Sequence, residues 1–448
     1  MTNEKLFGTS GIRGEIGLDI TTELALKIGK ALGTYLNNKG KVVIGYDTRT
    51  TNQMLDQAIT AGLVENGIDV LKIGMVPTPL AGFATEKLKA DSGVMITASH
   101  NPSQDNGIKL WNSNGMAYTA SQEEKIEEIY NNESYTPVSW DKVGSIKEVD
   151  EVKKDYIDKL VDLVNIKPGF KVVIDTASGA GSEISPIAFR KAGCEVITLN
   201  SQVDGFFPGR DPEPNENHLS SLMKTVVSSK ADLGIAHDGD ADRMITVDEL
   251  GNVSPFDSLL VLMAKNFGGK IITTVDAGMT IDEALESVGG EVLRTKVGDV
   301  NVAEAIISEN ATFGGEPSGT WIHPDFCMCP DGILSGLRIA EIVSKEGKLS
   351  ELLDKIPKYY NIRDKIDCSK EAKINIMKNM ESMLKDEFED IKEINNVDGV
   401  RLTLNDNSWV LIRPSGTQDY IRITLESKNK KRADSIHEIC KNIINNNK

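Results

Sequence analysis

The chain has 448 residues, 40% hydrophobic and 26% charged, which is the composition of a globular protein with a core to bury and long enough for roughly three domains. Fifty basic residues against 67 acidic ones give a formal net charge of −17. That field repels a polyanion, so the expectation is no nucleic acid and no membrane as main partner, while a small anionic substrate stays compatible if basic residues gather in a cleft. No run approaches the ~18 apolar residues of a bilayer span, and Met1–Lys5 leads into a Gly-rich motif without a basic-then-apolar leader. The five scattered cysteines (Cys194, Cys327, Cys329, Cys368, Cys440) read as reduced thiols, and Cys327-Met328-Cys329 lacks the second pair that a zinc site needs. Together these features predict a cytoplasmic protein.

In chain order, Phe7-Gly8-Thr9-Ser10-Gly11-Ile12-Arg13-Gly14 is a Gly-rich loop with one arginine. It lacks the Gly-Lys-Ser/Thr ending of a Walker A motif. Val42–Asp47 is a short apolar run ending in an acid, followed by a helical stretch over 52–65 and then Gly67-Ile68-Asp69-Val70. The same order recurs from Val172–Asp175 to Gly193–Val196, and again from Ile271–Asp276 to Gly289–Val292. Each copy reads as buried strand, loop, amphipathic helix, glycine stop and next strand. Strands joined through a helix run parallel with both faces covered. Residues 131–155 are polar and suit a first boundary, and Asp248-Glu249-Leu250-Gly251-Asn252 suits a second. Past Ile356-Pro357-Lys358 the spacing predicts a helix over 370–390, strands at Val400–Leu404 and Trp409–Ile412, and a last helix over about 430–445. There strands neighbour strands, as in an α+β domain. The predicted organisation is an α/β fold: three similar mixed or parallel-sheet domains over 1–153, 154–251 and 252–362, and a smaller C-terminal α+β domain over 363–448.

Four segments carry chemistry. Asp238-Gly239-Asp240-Ala241-Asp242-Arg243 follows an apolar strand and sets three carboxylates at alternating positions, able to converge on a hard cation such as Mg²⁺. An Asp-rich loop alone also reads as a solvated acidic turn, but its place at a strand end favours the cation. Thr97-Ala98-Ser99-His100-Asn101-Pro102 follows the apolar Gly93–Ile96, and Pro102 forces a turn that displays the Ser-His pair. Ser99 fits a nucleophile or phosphate carrier, or an ordinary turn. Arg413-Pro414-Ser415-Gly416-Thr417, with Arg422 close behind, offers guanidinium forks and hydroxyls to a phosphate dianion, or a surface turn. Phe313–Gly319 is a Gly-rich loop after a strand, with one acid and one hydroxyl. A Mg²⁺-dependent phosphohydrolase is one reading of this set, but it has no need of a second phosphate grip beside Ser99.

Over essentially its whole length, and in the same motif order, the chain resembles the α-D-phosphohexomutase superfamily. The resemblance implies four domains around a central cleft. It also implies a phosphorylated Ser99, and Mg²⁺ held by Asp238, Asp240, Asp242 and the Ser99 phosphate. Catalytic roles are implied for Arg13, Lys109 and Arg243, with Lys109 and His100 as the acid/base candidates. Glu316 and Ser318 are implied to contact ring hydroxyls. Lys296, Arg413, Ser415, Gly416, Thr417 and Arg422 are implied to hold the substrate, whose non-reacting phosphate falls to the Arg413 loop. A hexose 1,6-bisphosphate is implied as activator, a sugar phosphate as the small-molecule partner, and a monomer or homodimer as the assembly. Many members carry His directly after the Glu-x-Ser-Gly loop, where this chain has Thr320 with His323 three residues on, and the usual Thr-Glu-Pro is Thr417-Gln418-Asp419. Val297-Gly298-Asp299 is similar to the version found in amino-sugar members. It implies interconversion of glucosamine 6-phosphate and glucosamine 1-phosphate, with mannose or glucose phosphates as the alternative.

Overall fold

The computed structural model describes residues 6–8, 11–415 and 419–448. The chain divides into two units, one of Met1–Phe256 with Ser318–Leu353, the other of Asp257–Pro317 with Asp354–Lys448.

The first unit holds two sheets. In spatial order the first runs Ile12–Glu15, Asp105–Asn112, Ser92–Ile96, Lys41–Tyr46, Asp69–Met75 and Ile146–Glu148. The strands from Ser92–Ile96 to Ile146–Glu148 are parallel, and the first two are antiparallel additions. Val42, Val43, Ile44, Val94 and Ile96 are buried, as a sheet covered on both faces requires. The helix Thr22–Tyr35 starts on a side-chain cap, Thr21 Oγ1 accepting from the Leu24 amide. It packs on the helix Asn52–Glu65, whose bounds coincide with the stretch read from periodicity. The second sheet runs Met244–Val247, Leu233–His237, Lys171–Asp175 and Glu195–Leu199, with only the Met244–Val247 pairing antiparallel. The hairpin Trp321–His323 with Cys327–Pro330, and the helix Gly332–Glu346, complete the unit.

In the second unit, Glu291–Thr295, Lys270–Thr274 and Phe313–Gly315 pair in parallel. The C-terminal part is antiparallel throughout, in the order Tyr360–Asp367, Tyr420–Ser427, Trp409–Pro414, Val400–Leu404 and Ile391–Asn395. Helices Lys370–Glu387 and Lys430–Asn446 cover it, closing a core around Met380, Leu402, Ile423 and Ile436. The α/β class, with three strand-helix domains and an α+β end, is the fold observed.

Two expectations need adjustment. The polar stretch 131–155 is not only a connection: within it Ile146–Glu148 joins the first sheet beside Asp69–Met75. All three of its residues are exposed, so a short, blunt edge strand leaves no burial pattern to read. The loop expected after a strand at Phe313–Gly319 contains that strand, Phe313–Gly315. Its two glycines conceal the β signal.

Candidate active site

In the first unit the chemistry gathers at the carboxyl ends of parallel strands, where open α/β sheets place ligands. Ser99 follows Ser92–Ile96 and the acidic loop follows Leu233–His237. Ser99 Oγ donates to Asp238 Oδ2 at 2.7 Å and lies 3.2 Å from His100 Nδ1. The two loops touch through backbone as well. A Cβ on Gly239 would sit 2.5 Å from the Ser99 carbonyl oxygen, so only glycine permits this approach.

Asp238, Asp240 and Asp242 are all buried, and each offers an oxygen within 4.8 Å of the other two. Their environments differ. Burial, and then its two carboxylate neighbours, push the Asp238 pKa well above the usual range. Burial acts the same way on Asp240, but Lys109, the Thr78 hydroxyl and Arg13 outweigh it and hold its pKa low. Lys109 Nζ bridges Asp240 Oδ2 and Asp242 Oδ2 at 3.1 and 3.0 Å. Thr78 donates its amide to the Asp240 carbonyl and its hydroxyl to Asp240 Oδ2 at 2.6 Å. The Oδ1 atoms of Asp240 and Asp242 are buried and accept no hydrogen bond from the described residues. Three converging buried carboxylates, two of them with an oxygen that accepts no hydrogen bond from the described residues, fit a divalent cation.

Burial, and then Arg243 and Arg13, lower the His100 pKa to about 3, so the ring is neutral. Its Nε2 is 3.7 Å from Glu213, which is also 3.8 Å from Arg243 Nη1. Arg13 lies on the edge strand beside Gly107, two residues before Lys109. Ser318 Oγ is 3.2 Å from Thr320 Oγ1, and Thr320 bridges to Arg243 in antiparallel fashion. His323 is turned into the interior, Nε2 at 2.8 Å from Ser335 Oγ.

A second cluster forms in the other unit. Glu316 Oε1 accepts from the Gly298 amide at 2.7 Å, so the Val297-Gly298-Asp299 turn is fixed to the acid of the Glu-x-Ser-Gly loop. Asp398 Oδ2 accepts from the Val297 amide at 3.2 Å and pairs with Arg413 Nη1 at 3.3 Å. Lys296 immediately precedes this junction. Arg413 and Arg422 are cross-strand partners, and Arg422 Nη2 donates to the Tyr420 hydroxyl at 2.9 Å. The Ser415 amide donates to the Tyr420 carbonyl, and its own carbonyl accepts from Lys373 Nζ at 3.0 Å. Gly416 and Thr417 lie outside the described residues. Sequence reasoning missed Thr78, Glu213, Asp398 and Lys373. Pro77-Thr78-Pro79 at a helix start was the one visible signal among them.

Models of phosphoglucomutase/phosphomannomutase alpha/beta/alpha domains I, II and III match residues 4–137, 154–251 and 255–360, and that of the C-terminal domain matches 365–442. The chain belongs to the phosphoglucomutase/phosphomannomutase family. A family relative from Methanobrevibacter smithii, called a probable phosphoglucosamine mutase, is 72% identical over 447 residues, covering 100% of both chains. One of the same description from Methanothermobacter thermautotrophicus is 58% identical, covering 99% of this chain and 98% of its own. Among solved structures, a phosphoglucomutase/phosphomannomutase family protein from Burkholderia thailandensis superposes with a TM-score of 0.89 at 26% identity. That match covers 99% of this chain and 98% of the other. No helix among the described residues is long and apolar enough to cross a membrane.

Proposed function

We propose that this phosphoglucomutase/phosphomannomutase family member is a hexosamine-phosphate mutase, interconverting glucosamine 6-phosphate and glucosamine 1-phosphate. It does so through a phosphorylated Ser99 and a bound bisphosphate. The observation that carries the chemistry is the buried Ser99 hydroxyl 2.7 Å from the first carboxylate of a three-aspartate cluster. The substrate assignment is supported by the description of the relatives at 72% and 58% identity and by Val297-Gly298-Asp299 docked on Glu316.

Asp238, Asp240 and Asp242 would hold Mg²⁺ together with the phosphoryl group on Ser99. Bound there, the ion supplies charge neutralisation for phosphoryl transfer. The protein's own groups do the rest. A sugar hydroxyl attacks the phosphorus, the Ser99 Oγ–P bond breaks, and the hydroxyl proton passes to a basic group while Oγ regains one. His100, neutral and 3.2 Å from Ser99 Oγ, accepts or relays a proton there. Lys109, set between Asp240 and Asp242, presents an ammonium group to the oxygen whose charge develops. Arg13 and Arg243 add positive charge at the same loops. Arg413, Ser415, Gly416, Thr417 and Arg422 grip the phosphate that is not reacting, with Lys296 beside them, and Glu316 and Ser318 take the ring hydroxyls. The bisphosphate then reorients and returns its other phosphate to Ser99. A hexose 1,6-bisphosphate primes the serine, and the reading places the enzyme in the cytoplasm.

The test is a substrate panel: glucosamine 6-, mannose 6- and glucose 6-phosphate with Mg²⁺ and a trace of hexose 1,6-bisphosphate, followed by ³¹P NMR. The proposal expects the highest kcat/KM for the amino sugar. A preference for mannose or glucose overturns the substrate assignment, and release of inorganic phosphate without isomerisation overturns the mutase reading.

A further inference from the structure

Ser99 is buried and has a φ of +51°, a left-handed conformation that a residue with a side chain adopts at some cost. Such a conformation persists only where the surroundings over-determine it. Here one arginine supplies much of that surrounding structure. Arg49 Nη1 donates to the carbonyls of Pro102 at 2.5 Å and Asp105 at 2.8 Å, and Nη2 to those of Ser99 at 3.1 Å and Asn101 at 2.7 Å. A single guanidinium therefore collects carbonyls along the whole turn that displays the serine. Asp47 backs it, accepting from Arg49 Nε at 3.2 Å and from the Arg49 amide at 2.8 Å. Asp47 also accepts from Asn52 Nδ2 at 2.7 Å and Thr97 Oγ1 at 2.6 Å. Thr97 Oγ1 in turn accepts from the Ser99 amide at 2.8 Å. The chain of bonds closes on itself: Ser99 is held by its amide through Thr97 and Asp47, and by its carbonyl through Arg49. The Phe207 ring stacks on the guanidinium, 5.2 Å from centroid to Cζ.

The neighbouring sheet repeats the device. Asp175 ends the strand parallel to Leu233–His237, as Asp47 follows the strand parallel to Ser92–Ile96. Arg210 pairs with Asp175 at 3.0 Å and donates to the His237 carbonyl at 2.5 Å, one residue before Asp238. The Ser99 loop and the acidic loop thus each have their own carboxylate-backed arginine.

We infer that Arg49 is a positioning residue for the phosphoryl-carrying serine, a role that rests on the reading of Ser99 as that carrier. Arg49 spends its donors on backbone and on Asp47, so it acts through the loop. Capturing these carbonyls turns their lone pairs away from the place where a phosphate dianion would be repelled by them. Across a trans peptide it also sets the His100 N–H opposite the captured Ser99 carbonyl. A lysine keeps the charge but not the planar fork of donors that reaches several carbonyls at once.

The experiment compares full-length wild type, Arg49→Lys and Thr97→Val, the second severing the amide-side link while leaving the arginine in place. Four quantities are measured: kcat, KM for the sugar monophosphate, the rate of Ser99 phosphorylation by hexose 1,6-bisphosphate (intact-protein mass), and Mg²⁺ affinity by calorimetry. Displacing a reacting group by about 1 Å costs on the order of 100-fold in rate. Arg49→Lys is therefore expected to lower kcat and the phosphorylation rate together by about that factor, and Thr97→Val by about tenfold. KM and Mg²⁺ affinity should stay within about twofold, because the acidic loop keeps its own clamp. A kcat within about threefold of wild type in both variants overturns the inference. So does a loss of Mg²⁺ affinity that parallels the loss of kcat, which is the signature of general loosening. A wild-type protein that takes up no phosphate overturns the underlying reading of Ser99 instead.

Discussion

Ser99 and the three aspartates each follow a recognisable strand, yet each motif alone also reads as an ordinary turn; it was the four motifs together that made the candidate site legible. Their partners were not legible, since a hydroxyl such as that of Thr78 announces nothing until the fold brings residues 78 and 240 together. Ser99→Ala should abolish turnover and phosphoprotein formation while leaving the circular dichroism spectrum unchanged. Thr78→Val leaves a buried, ionised Asp240 short of a donor. It should cost about 1.5–3 kcal/mol of stability, the worth of a hydrogen bond to a charged group, read from urea unfolding. Arg413→Ala removes charge-assisted bonds to the idle phosphate and should raise KM about 10- to 100-fold with a smaller effect on kcat. An unchanged KM would move the phosphate grip elsewhere.

At the scale of elements, regular periodicity was readable and edges were not. The helix Asn52–Glu65 coincides with its sequence pattern, the helix over 370–390 ends at Glu387, and the last helix runs Lys430–Asn446. By contrast, the exposed strand Ile146–Glu148 and the antiparallel Ile12–Glu15, which buries only Ile12 fully, are defined mainly by their pairing. The helix Gly332–Glu346 shows how an element positions the site. Its Gly332 amide donates to the Ala241 carbonyl inside the acidic loop, and a Cβ on Gly332 would collide with the Arg243 carbonyl. Gly332→Ala should therefore displace the loop and weaken Mg²⁺ binding as measured by calorimetry. The same helix begins at Asp331, which caps the Leu334 amide and accepts from the Tyr156 hydroxyl, and whose pKa burial raises to about 6. A carboxyl with a raised native pKa binds more protons folded than unfolded. Its contribution is then complete below about pH 4 and is lost as pH rises towards 6, on the order of 3 kcal/mol. Asp331→Asn removes the charge and keeps one of the two acceptors, its amide NH2 standing where the second oxygen was, and should flatten that part of the stability–pH curve. An unchanged slope between pH 4 and 6 would contradict it.

For the whole molecule, net charge and catalytic charge point in opposite directions. A chain of −17 acts on an anionic substrate only if cations are collected locally. Arg13, Lys109 and Arg243 are gathered in one unit, and Arg413, Arg422 and Lys373 in the other. The repeat of strand, loop and helix made the three α/β domains legible, because parallel strands impose a buried, helix-linked pattern. The hydrogen-bonded junction of Val297, Asp398 and Arg413 was not, since it joins residues about a hundred positions apart. Three buried carboxylates whose oxygens converge also make a linkage prediction. Mg²⁺ should raise the melting temperature in a concentration-dependent way, chelation should reverse it, and Asp238→Asn should blunt the response. The account's central claim is that the phosphoryl group travels through Ser99. The most direct measurement is to label that serine with ³²P, mix the enzyme with unlabelled glucosamine 6-phosphate, and follow the label in a single turnover. The account predicts label in a glucosamine bisphosphate and then in glucosamine monophosphate, with none in inorganic phosphate. Label that stays on the protein while isomerisation proceeds, or that appears as inorganic phosphate, would contradict it.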